Sequence, residues 1–402
     1  MTWSKKRGRI LNDRRMGEKN EMSEEFIYLD NAATTWPKPE QVCIAVDKTM
    51  REIYANPGRS SHHMSLKSER VIDDARLAVA RFLNAPSPKN VVFTLNCTDS
   101  LNIILKGLIK PGDRVVTGPY EHNSVMRPLR TLQKSGVSVA VARGTGDFSI
   151  DLDSFRKLCK EGVNYAVVSH VSNVTGALAP VREIAEIVHE KEGIFILDAA
   201  QSAGIIDIDM QQLGVDVIAA PGHKGLMGPM GVGILVLGQD IPVQPFREGG
   251  TGIKSKEDSQ PDELPLRLEA GTANLPGIAG LLAGIRCIES LGVNTIAEHE
   301  RKLARRLVDG LKMFDGVRLY CDPVGPQTGV VSFTLESMDG TLVGTILDQA
   351  FNIGVRTGLH CAPAAHKTIG TFPAGTVRVS FGYYNRYNHV ERLICSLHDL
   401  AG

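Results

Sequence analysis

The chain has 402 residues, of which 43% are hydrophobic and 22% are charged, as is ordinary for a soluble globular protein. Its 45 lysine and arginine residues equal its 45 aspartate and glutamate residues, so no overall charge favours nucleic acid or a membrane surface as a partner. No apolar run approaches the length that crosses a bilayer, and the length of the chain predicts two domains.

The N-terminal segment and the cysteines indicate the environment of the protein. Residues 1–25 are basic and lack the apolar segment of a secretory signal, so we expect a disordered arm there. The seven cysteines are scattered and show no Cys-x-x-Cys spacing. This pattern argues against a disulfide framework and against a cysteine zinc site, and it is typical of a reducing, cytoplasmic compartment.

From residue 90 to 238, short apolar runs alternate with helical stretches that begin near Thr98, near Ser124 and at Pro180. The apolar runs are 91–94, 114–118, 138–142, 165–171, 194–200, 215–220 and 231–237. They are continuously apolar rather than alternating, as expected for strands that are covered on both faces. The order predicts an α/β fold with a mostly parallel, doubly wound sheet, in which ligands lie at the carboxyl ends of the strands.

A different organisation follows this region. Residues 247–274 form a long, polar, glycine- and charge-rich connection, and loops of this length are usually functional or mobile. After it, the pattern predicts helices at about 275–290, 293–314 and 340–352, strands at "VRLY", "GVVSFTL" and "TVRVSFG", and a final helix. We therefore predict a large domain over residues 26–274 and a smaller α+β domain over residues 275–402.

Lys224 stands in the glycine-rich segment "GHKGLMGPMGVG", directly after a predicted strand. Asp198 ends the preceding strand, so both side chains can enter one crevice. A carboxylate at the end of a buried strand is costly unless a cation or a strong donor meets it. An aspartate and a lysine placed in this way fit pyridoxal 5′-phosphate (PLP), which uses the lysine for a Schiff base and the aspartate to keep its ring nitrogen protonated. A structural ion pair is the alternative.

Two further strand ends fit a planar, phosphorylated ligand. Asn96, Cys97 and Thr98 form a predicted strand-to-helix turn, where free N–H groups attract a phosphate, although Thr98 could also serve only as a helix cap. His122 follows the next strand. Its ring could cover the face of a planar cofactor, or it could be an ordinary core or surface histidine.

Seven motifs in this order resemble one family. They are "YLDNAATT", "EHNSV", "SHVSNVTGA", "DAAQS", "GHK", "EAGTAN" and "VRTGLHCAPAAH". From about residue 27 to the C-terminus the chain resembles the cysteine desulfurases, within the class V aminotransferases of PLP fold type I. The resemblance implies an enzyme that converts L-cysteine to L-alanine and passes the sulfur to an acceptor protein, as in iron–sulfur cluster assembly.

The resemblance also implies how the cofactor is held. Lys224 would bind PLP covalently, His122 would stack on the ring and serve in proton transfer, and Asp198 would pair with the ring nitrogen. The remaining contacts to the ring substituents and the phosphate would come from Gln201, Asn173, Cys97, Thr98 and His223.

The substrate contacts and the oligomeric state follow from the same resemblance. Arg378 would clamp the substrate carboxylate, a task that suits a planar bidentate donor, and the alternative is an edge-strand arginine with a surface partner. Asn173 and Asn31 would also contact the substrate. Thr272 would reach the phosphate in the neighbouring subunit, which implies a homodimer.

Cys361 is the predicted nucleophile. It lies in a loop flanked by glycine and proline, with Arg356, His360 and His366 near in sequence, and a cationic, partly exposed setting favours a reactive thiolate. In the family such a cysteine attacks the sulfur of the bound substrate and becomes a persulfide. A buried loop cysteine is the alternative. A metal site of His360, Cys361 and His366 is disfavoured because no fourth ligand is suitably spaced.

Three positions depart from the family pattern. Pro221 precedes "GHK" where many desulfurases have a serine that contacts phosphate, and proline supplies neither a hydroxyl nor an N–H. Cys97 stands where threonine is common, and Leu359 replaces a histidine that often precedes "HC".

Other functions fit parts of this pattern. A selenocysteine lyase or another PLP-dependent C–S lyase would use Cys361 only to orient the substrate. A non-catalytic, PLP-binding sulfur-relay scaffold would have no reason to keep the whole set of site residues. A dinucleotide-binding module is disfavoured because "GPMGVG" lacks the required βαβ placement and acidic residue.

Overall fold

The structure, a computed structural model, describes residues 25–57, 62–254, 256–321, 325 and 327–401. The predicted arm over residues 1–25 therefore lies outside the described residues, except for Glu25. The strands are β1 Ile27–Tyr28, β2 Val91–Thr94, β3 Arg114–Thr117, β4 Ser138–Val141, β5 Tyr165–Ser169, β6 Ile194–Asp198, β7 Val217–Pro221, β8 Gly233–Leu237, β9 Val317–Leu319, β10 Val330–Leu335, β11 Ile353–Gly354, β12 Arg356–Gly358 and β13 Thr376–Ser380. The helices are α1 Glu40–Glu52, α2 His63–Phe82, α3 Cys97–Leu108, α4 Asn123–Lys134, α5 Leu152–Lys160, α6 Val181–His189, α7 Leu275–Leu291, α8 Val293–Leu311, α9 Gly340–Phe351, α10 Pro363–Thr368 and α11 Tyr387–Ala401.

A sheet with the strand order β2-β8-β7-β6-β5-β3-β4 forms the centre of the larger unit. Strands β3 to β7 pair in parallel, whereas β8 runs antiparallel to both β2 and β7. The predicted α/β architecture with a mostly parallel sheet is therefore confirmed.

The packing of β6 explains why these strands are apolar without interruption. Successive side chains of a strand point to opposite faces of the sheet. Phe195 and Leu197 pack into one hydrophobic cluster and Ile196 into another, and all three are fully buried. Helices cover both faces, so neither face offers a place for a polar residue until the strand ends at Asp198.

The smaller unit contains an antiparallel sheet with the order β12-β13-β10-β9. The N-terminal strand β1 pairs in parallel with β11, and Ile27 and Leu29 pack in the same cluster as Val331 and Phe333. The beginning of the described chain thus packs with the C-terminal unit, a contact that the predicted division into residues 26–274 and 275–402 does not include.

Helix α7 makes the reverse contact. It packs against α1 and α2, and its residues Leu281 and Ile285 belong to the hydrophobic cluster of the larger unit. Sequence reasoning assigned no structure to α1 and α2.

Among the described residues no single helix has the length and apolar character needed to cross a membrane, although α7 and α8, bent by 80° at their junction, meet those criteria as a pair.

Candidate active site

A cavity opens at the ends of the central strands. It is lined by segments that follow β2, β3, β5, β6 and β7, as expected for a doubly wound sheet. The structure brings together eight of the residues predicted from the sequence: Lys224, Asp198, His122, Gln201, Asn173, Cys97, Thr98 and His223.

Close backbone packing holds the lysine segment in place. The carbonyl oxygen of Lys224 accepts hydrogen bonds from the Met227 N–H at 2.8 Å and from the Thr35 hydroxyl at 3.1 Å. A Cβ at Gly225 would stand 2.4 Å from the carbonyl oxygen of Ala203, so only glycine fits beside the lysine. The glycine-rich sequence therefore supports a rigid turn that carries Lys224 into the cavity.

The environment of Lys224 favours its neutral amine. Burial lowers the pKa of Lys224 below its ordinary value, and Arg378 and Arg356 add to the effect, while Cys97 and Asp198 oppose it. A lysine with a lowered pKa is suited to attack a carbonyl carbon, the step that attaches an aldehyde cofactor.

Asp198 is a buried carboxylate that accepts hydrogen bonds and interacts electrostatically with Lys224 without forming an ion pair. It is 3% exposed, accepts the Ala200 N–H at 2.9 Å and accepts the Cys97 thiol at 3.5 Å. Within the described part of the chain no lysine, arginine or histidine forms an ion pair with it. Burial raises the pKa of Asp198. The carboxylate is therefore matched to a cationic N–H donor of a ligand, such as the protonated ring nitrogen of PLP.

His122 caps helix α4 and is held by Ser124. Its Nδ1 accepts the Ser124 N–H at 3.1 Å and lies 2.9 Å from the Ser124 hydroxyl oxygen. Burial lowers the pKa of His122 to about 4, with smaller contributions from Lys224 and Arg378. The imidazole is therefore neutral at physiological pH, which suits a ring that lies against a planar cofactor.

One part of the cavity wall suits an anion. Asn96, Cys97 and Thr98 line it at the start of α3, where the first N–H groups of a helix have no intrahelical acceptor. The Thr98 hydroxyl lies 2.7 Å from that of Ser124, and the buried Nδ1 of His223 has no partner among the described residues. Pro221 also lines the cavity, but it has no N–H group to donate to an anion. Together with Lys224 and Asp198, these groups fit a phosphorylated pyridine aldehyde.

Arg378 lies outside the residues that line this cavity. It is 2% exposed on the interior strand β13, so the alternative of an edge-strand arginine is wrong. Its guanidinium donates to Asp30 at 2.6 Å and to the carbonyl oxygen of Asn173 at 3.0 Å, and its Nε has no partner in the described structure. The contact with Asn173 joins Arg378 to the cavity wall.

Asn31 and Thr272 stand apart from the cavity in a single chain. Asn31 donates to the carbonyl oxygen of Ser380 and to the side chain of Asn385, both at 3.0 Å, and accepts the Trp36 N–H at 3.2 Å. These bonds already satisfy the amide of Asn31. Thr272 is exposed. The substrate role of Asn31 and the reach of Thr272 into a neighbouring subunit stay predictions.

The exposed Cys361 is fixed beside the cavity through its backbone. Its carbonyl oxygen accepts the N–H of Asn123 at 2.8 Å, next to His122. The carbonyl oxygen of His360 accepts the side-chain amide of Asn173 at 2.8 Å. Both His360 and Cys361 have a positive φ, which turns the chain sharply before α10.

The predicted cationic setting of Cys361 is wrong in one respect. Burial lowers the pKa of His360 to about 2 and that of His366 to about 4, so both rings are neutral. The two rings stack with their centroids 5.4 Å apart. Arg378 and Arg356 are positive charges that act on His360.

Sequence reasoning missed several residues of the site. Ser124 and Ser169 line the cavity, Asp30 pairs with Arg378, and the buried Glu121 bonds to Ser169. All four lie inside the quoted motifs "YLDNAATT", "EHNSV" and "SHVSNVTGA". Each of them is a polar residue beside the end of a strand, and this position was the signal that could have identified it as a site residue.

The fold and the site define an α/β protein with a lysine-centred cofactor cavity at the ends of the central strands. The family model described as Aminotransferase class-V matches residues 27–393, and the chain belongs to this family. It is 37% identical over 390 residues to a probable cysteine desulfurase of Pyrococcus abyssi, covering 94% of this chain and 95% of the relative. It is 35% identical over 384 residues to a probable cysteine desulfurase of Methanothermobacter thermautotrophicus, with the same coverage.

Solved structures give the same relationship. The apo structure of a cysteine desulfurase from Thermococcus onnurineus matches with a TM-score of 0.88 at 36% identity, covering 96% of this chain and 98% of the other. The predicted resemblance to the cysteine desulfurases is confirmed, and with it the assignment to PLP fold type I.

Proposed function

We propose that this protein is a PLP-dependent cysteine desulfurase that converts L-cysteine to L-alanine and takes the sulfur onto Cys361. Relatives at 33–37% identity over most of the chain bear this name. The observation that carries the proposal is an exposed cysteine whose loop is bonded to the cavity wall at Asn123 and Asn173. A general PLP enzyme has no need of a thiol in that position.

Several cavity residues have a role in this reaction. When bound, PLP supplies an electron sink for the carbon that loses a proton. Lys224 would hold the cofactor and move the substrate Cα proton, because its amine is biased toward the neutral form. Asp198 would hold the ring nitrogen, His122 would lie on the ring, and the start of α3 would hold the phosphate.

Cys361 would carry out the sulfur transfer. Its thiolate forms an S–S bond to the substrate sulfur while the substrate Cβ–S bond breaks. The electron pair of that bond stays with Cβ, which takes a proton and leaves in L-alanine. The enzyme thiol becomes a persulfide, so no oxidant is consumed.

We further propose a homodimer, a cytoplasmic location and transfer of the persulfide sulfur to an acceptor protein, as iron–sulfur cluster assembly requires. The exposure of Thr272 is compatible with contact to a second subunit. Cys43, Cys97, Cys159, Cys287, Cys361 and Cys395 are free, which is typical of a reducing compartment.

An absorbance spectrum before and after addition of L-cysteine tests the proposal, with alanine measured in the same sample. We expect a visible cofactor band that changes on addition of L-cysteine, together with stoichiometric alanine. A bound band with alanine formed only from selenocysteine would instead support a selenocysteine lyase. Failure to bind added PLP would overturn the proposal and favour a non-catalytic scaffold.

Replacing Arg378 by lysine is expected to raise KM for L-cysteine by ~10-fold or more with a smaller effect on kcat, because a carboxylate clamp acts in the ground state and the transition state alike. Lysine keeps the charge but loses the planar fork. Steady-state kinetics across a range of L-cysteine concentrations measure the change.

Arg306 provides the matched control for Arg378→Lys. It pairs with Glu391 through two hydrogen bonds of 2.7 Å and does not line the cavity. We expect Arg306→Lys to keep KM within ~2-fold, since surface ion pairs contribute little to stability. Equal KM values for Arg378→Lys and wild type would contradict the clamp.

A further inference from the structure

A hydrogen bond between two distant parts of the chain holds Asp198 in the cofactor cavity. The thiol of Cys97, the first residue of α3, donates to Asp198 Oδ1 at 3.5 Å, although 101 positions separate the two residues in sequence. The Ala200 N–H donates to the same oxygen at 2.9 Å. Both donors therefore bind Oδ1, and Oδ2 is left for a donor inside the cavity that Asp198 lines.

The orientation of this carboxylate matters for the ring nitrogen of PLP. A ring N–H is a single donor, and a hydrogen bond weakens steeply when its donor and acceptor are misaligned. The Asp198 carboxylate can turn about its Cβ–Cγ bond, a torsion with broad preferences. Two donors from different segments, Ala200 beside it in sequence and Cys97 from α3, restrict that rotation.

Tight packing at the start of α3 sets the position of the thiol. The Asn96 side chain accepts the Asp99 N–H at 2.9 Å and so caps the helix. A Cβ at Gly233 in β8 would stand 2.6 Å from the carbonyl carbon of Asn96, so only glycine allows this close approach. Strand β8 is joined through β7 to β6, and the same packing therefore fixes the start of α3 relative to Asp198.

The thiol of Cys97 is protonated and is therefore a donor. Cys97 is 8% exposed, and burial, together with the negative charge of Asp198, raises the pKa of its thiol well above the ordinary value. The S–H group is a weak donor, which an acidic acceptor such as Asp198 suits. The backbone N–H groups at the start of α3 are separate from this contact and can still receive a phosphate.

We propose that Cys97 is a positioning residue for the cofactor: its thiol holds Oδ1 of Asp198, so that Oδ2 is presented to the ring nitrogen of PLP. This inference rests on the proposed PLP function. The thiol acts through Asp198 and not on the phosphate, which was its predicted contact.

Two cofactors separate this role from a merely structural one. They are PLP and its deaza analogue, in which a C–H group replaces the ring nitrogen. Their dissociation constants are measured by absorbance titration of the full-length protein after PLP has been removed. For Cys97→Ala we expect ~3–10-fold weaker binding of PLP, the effect of losing one hydrogen bond, and an affinity for the analogue within ~2-fold of wild type. Cys97→Ser keeps a small donor and should restore the wild-type affinity for PLP.

Cys159 provides the matched control. It is also a buried cysteine, 1% exposed, but it lies in α5 and does not line the cavity. Cys159→Ala should leave the affinities for both cofactors unchanged.

Two results for Cys97→Ala would overturn the proposal and leave the proposed function intact. Equal weakening of PLP and of the deaza analogue would mean that the thiol acts on the phosphate or on the fold. Unchanged binding of PLP would mean that the thiol does not hold Asp198 in its working orientation. A wild-type protein that binds neither cofactor would overturn the proposed function as well.

Discussion

Alanine in place of Lys224 is expected to reduce alanine formation from L-cysteine by at least ~10³-fold and to remove the covalent attachment of PLP. The loss is large because one side chain carries two tasks, attachment of the cofactor and movement of the Cα proton, and proton transfer alone contributes ~10²–10⁴-fold. The amine is suited to both tasks since burial lowers its pKa. Absorbance of the cofactor band and a single-turnover assay for alanine measure the two effects separately.

Two further variants separate the chemistry of Lys224 from its charge. Lys224→Arg keeps a cation in the cavity but cannot attach the cofactor, so it should fail as Lys224→Ala does. Lys38→Met removes a different lysine, whose pKa burial lowers to about 8 and whose Nζ donates to the His223 carbonyl at 2.7 Å. That variant should still attach PLP. Covalent PLP in Lys224→Ala would show that another amine is used.

The sequence was sufficient to predict that Lys224 and Asp198 lie together, because this prediction needs only the position of each residue at the end of a strand. Each ends a strand, and neighbouring parallel strands bring their carboxyl ends to one edge of the sheet. His122, Cys97 and Thr98 follow from the same rule. The register of β5 against β6, which sets Ser169 opposite Asp198, depends on packing of the whole sheet and could not be obtained in this way.

Contacts between distant parts of the chain were also beyond sequence reasoning. The role of Arg378 as a substrate clamp stays a prediction, and its pairing with Asp30, 348 residues earlier, could not be inferred from the sequence. Strand β1 joins the small unit and α7 joins the large one, so the chain exchanges segments between the units. Apolar periodicity identifies a buried face and does not identify its partner.

The charge of the histidines around Cys361 also could not be predicted from the sequence. Proximity in sequence suggested that His360 and His366 are cations, but protonation depends on solvation, and both rings lie inside the protein. Whether burial or the nearby thiol decides the protonation of these two rings depends on the fold, and here burial decides it.

Replacing Cys361 by alanine is expected to abolish the persulfide and to lower alanine formation by ~10²-fold or more, because the substrate Cβ–S bond then lacks its sulfur acceptor. The cofactor should bind normally, since Cys361 does not line the cavity. Stability should change by less than ~0.5 kcal/mol because the side chain is exposed. Mass spectrometry of the peptide that contains residue 361 detects the added sulfur atom, and chromatography quantifies alanine.

Cys395 offers a matched control, because it is also a free, exposed cysteine but lies in the C-terminal helix α11. Cys395→Ala should keep both the persulfide on Cys361 and the rate of alanine formation. Alanine released at the wild-type rate by Cys361→Ala would mean that cleavage needs only the cofactor and Lys224. The thiol would then orient the substrate, as in a C–S lyase, and the persulfide step would have to be abandoned while the PLP site stands.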